Sequence, residues 1–157
     1  MSPHASTTGA DVHVPPPVLY AVPFAALSLL GRALPLRLPG GRATRSGGFA
    51  LVAAGLALGV TGARTILGHD SSIHPDGEVS TIVRDGPYRF SRNPIYLGLT
   101  LVYTGGALAQ RSALPLFGLP GVLVAMQNLV IQREEHYLRE RFGSAYTSYC
   151  AQVRRWL

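Results

Sequence analysis

Residues 47–67 read Gly47-Gly-Phe-Ala-Leu-Val-Ala-Ala-Gly55-Leu-Ala-Leu-Gly59-Val-Thr-Gly-Ala-Arg64-Thr-Ile-Leu67, with Arg64 the one charge among them. A bilayer core takes roughly 20 helical residues, range 17–25, so this stretch is long enough to cross one. A helix in a soluble bundle needs a polar stripe, and almost none is present here. Three further apolar blocks flank it. The first runs from about Val18 to Leu38, with Pro23 and Pro35 inside and Arg32 late. The third, Ile95 to Ala109, reaches spanning length only with Asn93, Pro94 and Gln110 added, and the fourth runs from Ala113 to Ile131. Close pairs of small residues, Gly55 with Gly59 and Gly105 with Gly106, let helices approach in lipid. The expected fold is all-α and integral to the membrane, with about four transmembrane helices.

Composition agrees. Of 157 residues, 47% are apolar and 14% charged, against about 25% charged in soluble domains. All 14 basic residues are Arg, and the formal net charge is +6. These arginines border the apolar blocks, where snorkelling and anionic lipid account for them; nucleic acid is not an expected partner. The lone Cys150 excludes an internal disulfide. Residues 1–17 are Pro-rich, contain no Arg and lack the basic n-region of a Sec signal; they read as a flexible tail ahead of a single membrane domain, 18–157.

Arg counting orients the chain. With four spans, the tail, the loop after block two and the C-terminal segment share one side, which holds nine arginines (Arg64, Arg84, Arg89, Arg92, Arg133, Arg139, Arg141, Arg154, Arg155). The other side holds five (Arg32, Arg37, Arg42, Arg45, Arg111). The expectation is that both termini and the 68–94 loop are cytoplasmic, in a bacterial inner membrane.

The polar chemistry therefore gathers on one face. In the loop, Asp85-Gly86-Pro87 is a turn signal, and Asn93-Pro94 reads as an N-cap followed by a first-turn proline. The third helix then starts at Pro94, and its first N–H groups, near Ile95 to Gly98, form an anion site flanked by Arg89 and Arg92. Tyr88 and Tyr96 offer aromatic faces to a cation. His69, Asp70, His74 and Asp76 match no standard metal spacing, and no metal is expected.

Beyond block four, a helix continuing to Phe142 is expected to stop at Gly143. Glu135 and Arg139 form an i,i+4 pair, whereas Glu134 has Leu138 at that position. Against this, Asn128, Gln132 and Glu135 form a polar stripe at i, i+4 and i+7. After Ser144, the apolar positions Tyr146, Tyr149, Val153 and Trp156 repeat every 3–4 residues beside Arg154 and Arg155, the pattern of an amphipathic helix on a membrane surface.

Ser80-Thr-Ile-Val83 followed by Gly86-Pro-Tyr-Arg-Phe-Ser-Arg-Asn-Pro-Ile-Tyr-Leu-Gly98 resembles the core motif of integral-membrane methyltransferases. Arg133-Glu-Glu-x-x-Leu138-x-x-x-Phe-Gly143-x-x-Tyr-x-x-Tyr149 and the closing Val153-Arg-Arg-Trp-Leu157 resemble its second half. The group includes isoprenylcysteine carboxyl methyltransferases and phospholipid methyltransferases, and the resemblance covers residues 70–157. It implies an enzyme dependent on S-adenosyl-L-methionine (SAM), with S-adenosyl-L-homocysteine as product, acting on a lipophilic, membrane-partitioned carboxylate or amine. By position, the implied cofactor residues are Ser80, Thr81, Ile82, Val83, Tyr88, Asn93, Pro94, Ile95, Tyr96 and Glu134. Two positions depart from the isoprenylcysteine enzymes: Asn93 stands where they usually carry His, and Val130 where they tend to place a substrate-contacting Arg. The second departure points away from a prenylcysteine substrate. The resemblance identifies no catalytic base. Two other readings are a sterol-reductase-type enzyme using NADPH and a non-catalytic four-helix membrane protein. A small transporter is disfavoured, because no Asp or Glu lies within the four blocks.

Overall fold

A computed structural model describes residues 14–34, 36–70 and 81–157. Helix α1 spans Pro16–Ala33 and α2 Gly41–Asp70; a short 3-10 turn, Gly86–Arg89, leads into α3, Pro94–Gln110. Helix α4, Ala113–Met126, runs through a π-turn at Gln127–Ile131 into α5, Gln132–Gln152. The helices begin and end where the chain chemistry dictates. Proline occupies the first turns of α1 and α3, where no N–H is needed. Leu34, which precedes Pro35, is extended, as a residue before proline prefers, so the first helix ends five residues short of Leu38.

α1, α2 and the α4–α5 rod are each long and apolar enough to cross a membrane. α3 has 17 residues, about 25 Å at 1.5 Å per residue, and is a shorter fourth membrane helix. Large apolar side chains face outward along the bundle: Leu29 is 61% exposed and Phe117 74%, with Val22, Leu56, Val60 and Val124 also exposed. A water-soluble monomer rarely tolerates so much outward apolar surface; lipid covers it at no cost.

α2 and α3 run antiparallel through a seam of glycines. A Cβ on Gly55 would lie 2.6 Å from the Gly98 carbonyl oxygen, and one on Gly98 would lie 2.7 Å from that of Gly55. One on Gly105 would lie 2.6 Å from the Gly48 oxygen, and Gly62 abuts Ile95 and Pro94. On α2 the seam residues 48, 55 and 62 recur every seven positions, the period that keeps one face turned to a neighbouring helix. Gly59 presents its backbone to Gly98 in the same seam, although its own Cβ direction is open, and Gly106 admits the Phe24 ring from α1. The remaining core is Tyr20, Tyr103, Val122, Met126 and Val130, with Phe24 and Tyr103 edge-to-face at 5.1 Å.

The connections sort to the two ends. Arg37 pairs with Ser112 in an antiparallel bridge, so the α1–α2 and α3–α4 connections lie together. The 81–93 segment and the C-terminal residues meet at the other end.

Candidate cofactor site at the loop end

The C-terminal segment is sewn onto the 81–93 segment. The Arg84 guanidinium donates to the Ala145 carbonyl at 2.8 Å and lies 5.7 Å from the centroid of the Tyr149 ring. The Tyr149 hydroxyl donates to the Tyr88 carbonyl at 2.7 Å. The Arg92 amide donates to the Arg154 carbonyl at 3.0 Å, and the side chains of Ser91 and Asn93 both donate to the Arg155 carbonyl. Tyr146, Tyr149 and Val153 pack with Ile82, Leu138 and Phe142. The amphipathic C-terminal helix is therefore present but ends at Gln152, short of Val153 and Trp156, and Tyr146, Tyr149 and Val153 are buried against the protein's own loop rather than lipid. Gly143, at φ 50° and ψ −121°, makes the bend that turns it inward; that conformation is close to glycine-only.

Behind this seam lies a buried ion cluster. Glu135 is 4% exposed. It accepts from Arg155 Nε at 2.8 Å and Nη2 at 2.7 Å, and also meets Arg92 at 3.2 Å and Arg139 at 3.1 Å. Burial pushes its carboxyl up, but the Arg155 hydrogen bonds and the three positive charges outweigh that and hold it below the usual range. Glu135 is not the surface partner of Arg139 that helical spacing implies; it is the anion that fixes the C-terminal segment.

Glu134 points elsewhere. It accepts a 2.6 Å hydrogen bond from the Tyr96 hydroxyl, 38 positions away in sequence. Burial raises its carboxyl above the usual range, an effect partly offset by that bond. Tyr88 is close enough that Glu134, after burial and Tyr149, raises its phenol as well. Tyr88, Tyr96 and Glu134 thus form one half-buried group of two aromatic rings and a carboxylate, beside the start of α3. Asn128 and Gln132 are exposed while Glu135 is buried, so they share no pocket face. The reason is the π-turn: its extra residue lets both Val130 and Ile131 be buried and carries the inward face from Met126 through Ile131 to Glu135.

The other candidate residues divide. Ser80 lies outside the described residues, as do His74 and Asp76. Thr81 is exposed and Val83 half-buried; Ile82 serves the C-terminal cluster. Pro94 is fully buried, and the Ile95 side chain lies against Gly62. Asn93 is not the side-chain cap expected; its amide is spent on the Arg155 carbonyl, and no side-chain cap bond is made. His69 binds Asp85 at 3.0 Å, and no metal-holding group of His, Cys, Asp and Glu occurs among the described residues. Sequence reasoning missed Ser91, Arg92 and Arg155 as the clamp. Glu135 has a ready partner one turn away, and nothing local reveals a partner twenty positions on.

A family model for phospholipid methyltransferases matches residues 44–145, from the start of α2 to just past the Gly143 bend. The chain belongs to the phospholipid methyltransferase family. The matched region contains Tyr88, Tyr96, Glu134 and Glu135, whereas Arg155 falls beyond it. The family places this membrane protein among the methyltransferases, in agreement with the resemblance of its paired motifs. An uncharacterized protein of Haemophilus influenzae is 35% identical over 63 residues, covering 40% of this chain and 100% of that protein.

Proposed function

We propose that the protein transfers a methyl group from SAM to a lipophilic acceptor at the cytoplasmic face of a bacterial inner membrane. The observation that carries this reading is the Tyr96–Glu134 hydrogen bond, which joins the two halves of the motif at one point. The side chains there fit the cofactor's chemistry. Glu134 suits an ammonium or ribose hydroxyls, the Tyr88 and Tyr96 rings suit a sulfonium or a flat base, and the N–H groups of Ile95 and Tyr96, which lack intrahelical acceptors, suit a carboxylate. Residues 80–83 would add backbone contacts. SAM supplies a methyl already activated on a sulfonium. The protein has to align the acceptor and exclude water. A carboxylate acceptor needs no base; an amine must lose a proton, and no residue is assigned to take it. The acceptor enters sideways from lipid, where an apolar molecule partitions. Lipophilic molecules and membrane lipids, not nucleic acid, are the partners.

Titration of the detergent-purified protein with SAM and with S-adenosyl-L-homocysteine tests the reading, followed by methyl-labelled SAM with a lipid extract and mass spectrometry of the product. Micromolar binding and a labelled lipid are expected. A folded protein that binds NADPH and neither adenosyl ligand would instead be a reductase.

A further inference from the structure

The opposite end of the bundle carries a site that methyl transfer does not use. A pocket of about 400 Å³ opens there between the end of α1 and the α3–α4 connection, and Arg32, Arg37, Arg111, Ser28 and Ser112 line it. Its frame is fixed. Arg111 sits at φ 56°, rare for a residue with a Cβ, held by bonds from Nε and Nη2 to the Leu38 carbonyl at 3.2 and 3.0 Å. Leu38 N and Ala113 N complete the pairing of the two connections, donating to the carbonyls of Arg111 and Leu36. The Ser28 hydroxyl oxygen is buried without a hydrogen-bond partner. No acidic residue occurs between Asp11 and Asp70, or between Asp85 and Glu134. The pocket's arginines, Arg32, Arg37 and Arg111, therefore lie in stretches of sequence that hold no carboxylate. Leu36 lines the pocket and is exposed, and Leu29, Leu30 and Leu34 stand exposed on the end of α1 that carries it, so lipid-facing apolar surface adjoins the cationic hollow.

We infer that this pocket binds the anionic phosphodiester headgroup of a membrane lipid, with its acyl chains along α1. Arginine forks match phosphate oxygens, the serine hydroxyl adds a donor, and the pocket volume lies within the range of small-ligand sites. The inference rests on the membrane placement of the bundle and not on methyl transfer, since α3 separates this pocket from the Tyr96–Glu134 pair by its full length.

The test is thermal stability of the full-length protein in neutral detergent with short-chain phosphatidylglycerol, short-chain phosphatidylcholine or inorganic phosphate. Phosphatidylglycerol should raise the melting temperature saturably. The double variant Arg32→Gln/Arg37→Gln should weaken that response at least tenfold, while Arg42→Gln/Arg45→Gln, with the same charge loss outside the pocket, should keep it. An equal response to inorganic phosphate, lost in the same double variant, would support the phosphate site with free phosphate as its source and overturn the lipid. A response equal for both lipids, or one that survives Arg32→Gln/Arg37→Gln, overturns the site. A readout without variants is native mass spectrometry of wild-type protein released from nanodiscs of equal phosphatidylglycerol and phosphatidylcholine. Preferential retention of one phosphatidylglycerol is expected, and equal retention refutes it.

Discussion

Replacing Glu135 by Gln tests whether the buried ion cluster, rather than apolar packing alone, holds the C-terminal segment in place. Gln has the same shape but no charge. Arg155 loses one of its two short charge-assisted bonds outright, because an amide NH2 cannot accept, and the charge on the other; each is worth about 1.5–3 kcal/mol when protected, and the 36% exposure of its side chain reduces that. Arg139 is 53% exposed, so its share is about 0–1 kcal/mol. Arg92 decides the outcome, because its side chain is only 12% exposed and its Nε already lacks a partner. Breaking a buried pair costs about 3–5 kcal/mol; with two half-exposed partners, about 3 kcal/mol is expected. At ~2–4 °C per kcal/mol for a chain of this size, the melting temperature should fall by roughly 6–12 °C. Trp156 is the single tryptophan and adjoins Arg155, so its fluorescence reports release of the segment. Glu135→Gln, Arg155→Gln and the double variant should show coupling of about 1–2 kcal/mol. A melting temperature within about 1.5 °C of wild type, with unchanged Trp156 emission, would refute the clamp.

Glu134→Gln should do the reverse: little change in stability, but SAM binding weaker by about 1.5–3 kcal/mol, read by calorimetry. Because burial raises the Glu134 carboxyl and the ionised form is the one that meets an ammonium, wild-type affinity should fall on acidification above the ordinary carboxylate range, and the variant should lose that step. Glu135 has the opposite shift: its stabilisation is present above the unfolded value of about 4.3 and lost as pH falls through its lower folded value, seen as a drop in melting temperature in acid. Gly55→Ala should destabilise by about 1–3 kcal/mol, since its Cβ meets backbone at 2.6 Å, while Gly59→Ala, with nothing within 4 Å, should not; thermal melts compare them. In a Cys150→Ser background, an impermeant thiol reagent on intact cells should label Ser46→Cys and spare Ser148→Cys. The inverse pattern would put the candidate site outside the cell.

Sequence alone determined that the chain lives in lipid, because spanning length and the missing polar stripe are properties of consecutive residues. It also determined the start of α3 at Pro94 and the bend at Gly143, where proline and glycine act through their own backbone. Glu134 was legible as the odd acid of its pair only because Glu135 had a helical neighbour to account for it, and that account was incomplete. The tertiary structure decided which glycines make the seam, since the period of seven on α2 matters only once α3 lies against it. It decided that Asn93 anchors the C-terminal segment instead of capping α3, because its side-chain amide is oriented by donating to the Arg155 carbonyl, 62 positions away in sequence. It also decided that the Tyr146, Tyr149 and Val153 stripe faces protein: an amphipathic stripe specifies that something apolar covers it, and only the Gly143 bend and the Glu135 cluster determine what does.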